Sequence, residues 1–189
     1  MLNAMTAVLK KEIVMSKTTQ RVLLTLLFSY LTFCAALIKI YTPLSVIPFT
    51  TQTFVLFMAM YFLNPKEAGI SQALYIVAGL IGAPVFAVGI TGALALVGPT
   101  AGYLAGFVIS AVVMAYLMSK TGKLSYIKAA LIFSLGALIV LTFGTLNLIL
   151  VYKMPVGAAL MAGFLPFAGI EVVKIFTAAG FFGLKNNKQ

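Results

Sequence analysis

Glu171 and Lys174 are the residues of this chain best placed to do chemistry. They occur in Gly169-Ile170-Glu171-Val172-Val173-Lys174, inside a long apolar run. A spacing of i, i+3 puts both side chains on one face of a helix. Lys174 precedes Lys185 by eleven residues, about 16 Å of helix, which is deep in a hydrocarbon layer about 30 Å thick. A lone charge there costs at least about 2.5–3.5 kcal/mol on insertion scales. The pair could neutralise itself and only fix packing. The preferred reading is functional, because ionisable residues inside a membrane commonly mark a substrate path. Lys174 would then offer a cation to an anionic ligand, and Glu171 would hold the lysine or accept ligand N–H bonds. Pro166 lies five residues before Glu171. Proline removes a backbone donor and breaks or kinks a helix, and free backbone groups are tolerated at membrane depth only beside protein or a cavity.

Polar residues gather in two other places. Thr50, Thr51, Gln52 and Thr53 open an apolar segment after a Pro-flanked loop, and Thr100 and Tyr103 open another after Gly98-Pro99. Helix N-termini present free N–H groups and partial positive charge to polar ligands. Ordinary capping explains any single threonine; their convergence on the side of a Gly-rich connection points to a site that opens outward. A different pattern, Thr25, Ser29, Thr32 and Ala36 at i, i+4, i+7 and i+11, makes a stripe of small residues. Such stripes let helices approach closely in lipid. Spacing alone leaves open whether this one packs within the chain or against a partner subunit.

The missing residue types exclude several functions. There is no His, and the single Cys, Cys34, lies in an apolar segment. His-ligated metals, imidazole bases and an intrachain disulfide are thereby removed, and neither a metal nor a cofactor is expected. No G-x-x-x-x-G-K-[ST] phosphate loop occurs. With Glu12, Glu67 and Glu171 as the only acids, an autonomous ion-driven pump is hard to build. A substrate-binding membrane subunit powered by other proteins is easier, and an enzyme is not expected.

The elements that must position these residues are membrane spans. Of 189 residues, 62% are hydrophobic and 8% charged, where a soluble domain carries about a quarter charged residues. The lipid bilayer is therefore the solvent. Apolar runs divided by turn signals predict six helices, over about 22–40, 49–63, 68–81, 101–118, 127–151 and 156–183. The second is short for a bilayer. Continuous apolar runs without period-two alternation rule out a β-barrel reading. Positive charge sets the orientation. Lys10, Lys11, Lys17, Arg21, Lys66, Lys120, Lys123, Lys128, Lys185 and Lys188 fall on one side, against Lys39 and Lys153 on the other. Both termini are therefore expected in the cytoplasm, with tails at 1–20 and 186–189 and one six-helix domain at 21–185. The basic residues sit as membrane anchors between apolar runs, so no nucleic-acid partner is expected.

Four segments in order carry a family likeness. They are Val46-Ile47-Pro48-Phe49-Thr50-Thr51-Gln52-Thr53, Leu74-Tyr75 leading to Gly79-Leu80-Ile81-Gly82-Ala83-Pro84-Val85-Phe86-Ala87, Gly98-Pro99-Thr100-Ala101-Gly102-Tyr103-Leu104-Ala105-Gly106-Phe107, and Leu165-Pro166-Phe167 before Glu171-x-x-Lys174. In them the chain resembles the BioY family, the biotin-binding S-components of energy-coupling factor (ECF) transporters. The resemblance covers nearly the whole chain after the N-terminal tail. It implies an all-α, six-helix S-component fold in the bacterial plasma membrane and capture of biotin from outside. It also implies docking on a transmembrane coupling subunit with two cytoplasmic ATPases. Lys174 would meet the valerate carboxylate, the bicyclic ring would lie among walls that include Tyr75 and Tyr103, and the face bearing Thr25, Ser29, Thr32 and Ala36 would dock the partner. The family commonly has Asp where Glu171 stands and Gly where Ala101 stands. The first helix lacks a literal Ala-x-x-x-Ala. Thus the substrate-binding set expected here is Lys174, Glu171, Tyr103, Thr100, Tyr75, Gln52 and Thr50. An S-component for another vitamin and a small secondary transporter are the alternatives.

Overall fold

The computed structural model describes residues 15–186 except positions 44, 88, 90 and 123. Lys10, Lys11, Lys123 and Lys188 of the charge argument, and most of the expected N-terminal tail, lie outside the described residues. Ser16 caps the first helix, α1 (Lys17–Leu37), its hydroxyl accepting the Thr19 N–H at 3.0 Å. The helix stops before Ile38-Lys39-Ile40-Tyr41-Thr42, where β-branched and aromatic residues favour extended chain. An antiparallel hairpin follows, β1 (Lys39–Thr42) and β2 (Ser45–Thr50), with Lys39 opposite Thr50 and Ile40 opposite Phe49. The region predicted as an irregular loop around Tyr41 to Pro48 is therefore ordered by cross-strand pairing. The hairpin also takes the last residues assigned to the first span and the first ones assigned to the second.

Helices α2 (Gln52–Phe62) and α3 (Pro65–Leu80) come next. α3 has the strongest start signal in the chain. Asn64 accepts the Glu67 N–H, Glu67 accepts the Asn64 N–H, and Pro65 occupies the first turn, where its missing donor costs nothing. Gly82, at φ 104°, turns the chain out of α3 in a conformation that L side chains resist. The described residues of 81–100 then run without α-helix, apart from a 3₁₀ segment at Gly92–Leu96. Helices α4 (Ala101–Lys120), α5 (Tyr126–Leu150), α6 (Val156–Gly163) and α7 (Leu165–Asn186) complete the bundle. α6 and α7 are the two parts of one span, broken at Phe164 just ahead of Pro166. Counted so, the described residues hold the six predicted helices. α1, α4, α5 and the α6–α7 span are each long and apolar enough to cross a bilayer, and this is a multi-pass membrane protein.

α2 and α3 are shorter than the others. Eleven and sixteen residues give about 16 Å and 24 Å of helix, less than the roughly 30 Å hydrocarbon thickness. Both meet at the basic end of the bundle. There Arg21 of α1 forms an ion pair with Glu67 of α3 and donates to the Phe62 carbonyl, which ends α2. Their shortness therefore falls at the opposite end, where the hairpin and residues 81–100 lie.

The small-residue stripe of α1 faces inward. Thr32 and Ala36 are each 1% exposed, Thr25 is buried and Ser29 is half-buried. The Thr25 and Thr32 hydroxyls donate to carbonyls four residues earlier, and Thr32 also accepts from Gln72 Nε2 of α3 at 3.3 Å. Ser29 is the one member of the stripe left partly open to a partner. α2 and α3 cover the rest of the face, which packs the chain on itself.

The closest helix pair, α4 with α5, depends on Gly102 and Gly106. A Cβ on Gly102 would stand 2.2 Å from the Phe143 carbonyl oxygen, and one on Gly106 would stand 2.9 Å from Val140 Cα. Both obstacles are backbone and have no rotamer to yield. Gly102→Val should destabilise the bundle by about 1–3 kcal/mol through overpacking. Gly180→Ala, with nothing within 4 Å of the added methyl, should be neutral or slightly stabilising. Circular-dichroism melting of the detergent-solubilised variants checks both.

Candidate functional site

Three polar groups lock around Lys174. Its ammonium donates to Glu171 Oε1 at 2.7 Å, to the Thr53 hydroxyl at 2.8 Å and to the Thr50 carbonyl at 2.7 Å. The Thr53 hydroxyl donates in turn to Glu171 Oε1 at 2.6 Å. The i, i+3 spacing on α7 supplies the ion pair, and the junction of β2 with α2 supplies the other two partners. All three ammonium protons are used. Glu171 is 4% exposed and its second oxygen, Oε2, has no hydrogen-bond partner.

Glu171 lines a small cavity with about 50 Å³ of free space, below the roughly 300–1,000 Å³ of small-molecule sites, so a ligand larger than a few atoms must displace part of its wall. All seven residues predicted to bind substrate line it: Lys174, Glu171, Tyr103, Thr100, Tyr75, Gln52 and Thr50. Thr53 joins them. The rest of the wall is apolar, with Phe86, Phe107 and Phe167 as its largest members and Ile47 and Pro48 of the hairpin at one end.

Most of the polar wall is satisfied from within. The Tyr75 hydroxyl donates to the Val85 carbonyl at 3.0 Å and accepts from Gln52 Nε2 at 2.9 Å, while the Thr50 hydroxyl meets Gln52 Oε1 at 3.1 Å. The Tyr103 hydroxyl donates to the Gly163 carbonyl at 2.6 Å. That carbonyl is freed by the helix break before Pro166, so Tyr103 answers an acceptor the break creates. Tyr75 and Tyr103 therefore offer the cavity their rings, with their hydroxyls already used. Two lining groups are left over, Glu171 Oε2 and the buried Thr100 hydroxyl. A buried unsatisfied polar atom is costly and calls for a partner. Thr100 is held in place from α5, where Asn147 Nδ2 donates to the carbonyls of Gly98 and Pro99 at 3.2 and 3.3 Å.

One wall depends on a glycine. A Cβ on Gly79 would fall 2.1 Å from the Phe86 ring. The bare backbone of α3 lets Phe86 lie against it and meet Tyr75 edge to face, with ring centroids 5.7 Å apart.

A profile of the BioY family matches residues 5–186. The chain belongs to the BioY family. The biotin transporter BioY of Thermotoga maritima is 36% identical over 137 residues, covering 72% of this chain and 79% of that protein. Biotin transporter BioY2 of Lactococcus lactis subsp. cremoris is 32% identical over 154 residues, covering 79% and 84% respectively. The fold matches the crystal structure of an S-component for biotin from an ECF-type ABC transporter. The TM-score is 0.78 at 20% sequence identity, over 93% of this chain and 96% of that one.

Within this BioY-family fold, the lining residues not predicted as site members are mostly apolar. Phe107, Leu104, Val140 and Leu141 carry no signal in a chain where such residues are everywhere. Thr53 did have one. It stands three residues after Thr50, as the second residue of α2, on the side that meets α7.

The ion pair has a direct energetic consequence. Removing one member of a buried pair strands the other, at about 3–5 kcal/mol, whereas replacing both with apolar groups is often near neutral. Glu171→Ala should thus lower thermal stability sharply, and Glu171→Ala with Lys174→Met should regain much of the loss in circular-dichroism melting.

Proposed function

We propose that this protein is the biotin-capturing S-component of an ECF transporter in a bacterial plasma membrane. In this reading it is not an enzyme. It works with a transmembrane coupling subunit and two cytoplasmic ATPases, and both of its termini face the cytoplasm. Residues 21–185 form the binding domain between the tails at 1–20 and 186–189. Family membership and the named relatives support the ligand. The observation that carries the reading is a buried carboxylate with one unpaired oxygen, set in an apolar, aromatic-walled cavity at the hairpin end of the bundle.

Biotin has a polar ureido head with two N–H donors and one carbonyl acceptor, an apolar sulfur ring, and a tail ending in a carboxylate. The Glu171–Lys174 pair carries no net charge and its ammonium is fully hydrogen-bonded. Adding a carboxylate beside it would leave the cluster with a net negative charge in a low-dielectric site, which is unfavourable. A neutral head is the better match. The ureido N–H donates to Glu171 Oε2, the ring lies against Phe86, Phe107, Tyr75 and Tyr103, and one Lys174 N–H turns from the Thr50 carbonyl to the ureido carbonyl. This assignment replaces the valerate carboxylate that the family resemblance places at Lys174. The hairpin then closes behind the ligand, and ATP-driven motion of the partner subunits tips the domain to release biotin inside.

Equilibrium binding of labelled biotin to the purified protein tests the reading. Thiamine or riboflavin retained through purification would overturn the biotin assignment, and uptake in proteoliposomes driven by an ion gradient without any ATPase would favour a secondary transporter. Lys174→Ala should weaken biotin binding at least tenfold, in line with loss of a charge-assisted hydrogen bond worth about 1.5–3 kcal/mol, while gel filtration shows a folded protein. Unchanged titration calorimetry would remove Lys174 from the site.

A further inference from the structure

With the ureido head at Glu171 and Lys174, the anionic tail needs a cation elsewhere, and the hairpin holds one. Lys39 of β1 is half-buried, and its ammonium donates to the Ala87 carbonyl at 3.1 Å. Ala87 lines the cavity, and the Tyr41 hydroxyl donates to the same carbonyl at 3.3 Å. Lys39 also lies 6.0 Å from the centroid of the Tyr41 ring. In the hairpin register Lys39 stands directly opposite Thr50, itself a lining residue, and directly opposed residues of an antiparallel pair project on the same face. The lysine is thus turned toward the seam between the hairpin and residues 81–100, one layer outside the cavity wall.

Its charge has no counterpart among the described residues. Among the described residues the carboxylates are Glu67 and Glu171, paired with Arg21 and Lys174 respectively. Lys39 therefore holds a partly desolvated ammonium against a carbonyl and an aromatic ring only, with capacity left for an anion. The seam it borders is also the closing edge of the hairpin.

We infer that Lys39 is the cationic subsite for the carboxylate of the ligand, received where the tail leaves the cavity between β2 and Ala87. This rests on the biotin reading proposed above. It makes selection of an acidic tail a property of the hairpin, separate from recognition of the head by α7. The same contact ties hairpin closure to the presence of a charged tail.

The test compares biotin with biotinamide, whose tail is neutral, by titration calorimetry on the full-length protein in detergent. Wild type should bind biotin about tenfold or more tighter than biotinamide. Lys39→Met should abolish that preference by weakening biotin alone, and Lys39→Arg should restore most of it. A Lys39→Met variant that weakens both ligands equally, or neither, would overturn the inference: the lysine would then only brace the hairpin or face lipid headgroups. Binding of neither ligand by wild type would instead remove the biotin reading, and this subsite with it.

Discussion

An ammonium and a carboxylate 2.7 Å apart inside an apolar bundle impose demands that much of this structure meets. The pair needs further partners, because two charges in hydrocarbon are tolerated only when their remaining hydrogen-bonding capacity is filled. Those partners are the Thr50 carbonyl and the Thr53 hydroxyl. Both come from the point where a strand becomes a helix. A regular helix at that depth would use its own carbonyls internally and would have none to offer. The start of α2 at Gln52, well inside the bundle, is therefore linked to the chemistry of α7.

The same logic extends to the membrane. Because α2 and α3 fall short of a bilayer's depth, extended chain has to occupy the remainder, and at that depth extended chain must be covered by protein or border a cavity. Here both conditions hold. The hairpin pairs its facing backbone groups across the two strands, and Phe49 packs on Phe167 of α7 with ring centroids 4.7 Å apart. Residues 81–100 are held by side chains reaching across: Tyr75 to Val85, Lys39 and Tyr41 to Ala87, Tyr152 to Val97, and Asn147 to Gly98 and Pro99. Such anchoring keeps the non-helical wall in place while leaving unfilled space between it and the bundle.

Much of this was legible in the sequence, for identifiable reasons. Six apolar runs with boundaries such as Asn64-Pro65 and Gly98-Pro99 set the helices, and the i, i+3 charges on the last run located the pair. The threonines after the Pro-flanked loop and Thr100 after Gly98-Pro99 were marked by polarity at segment starts; the structure brings Thr50, Thr53 and Thr100 to one cavity and turns Thr51 to the Ala35 carbonyl of α1. The hairpin was hidden because Pro43 and Pro48 read as loop punctuation, although a proline is compatible with an edge strand. The direction of the α1 stripe was hidden for a different reason. Small residues at helical spacing identify a face that packs closely but not what it packs against, and only the position of Gln72 on α3 decides that. The completeness of the bonding around Lys174 was likewise out of reach, since it depends on a backbone carbonyl of β2 that no residue type reveals.

That completeness bears on how such a site achieves specificity. A free intramembrane lysine would attract any anion small enough to enter. A lysine already neutralised by Glu171 and bonded to two further oxygens gains little from charge alone, so a ligand must offer a pattern that exchanges hydrogen bonds without loss. The unpaired Glu171 Oε2 requires a donor, and Thr100 can accept or donate. A guest with only acceptors would leave the carboxylate oxygen unsatisfied in a dry pocket, at the full cost of its desolvation. Discrimination by hydrogen-bond pattern also lightens release. The ion pair has its internal partners without any ligand, so an emptied site would hold no stranded charge.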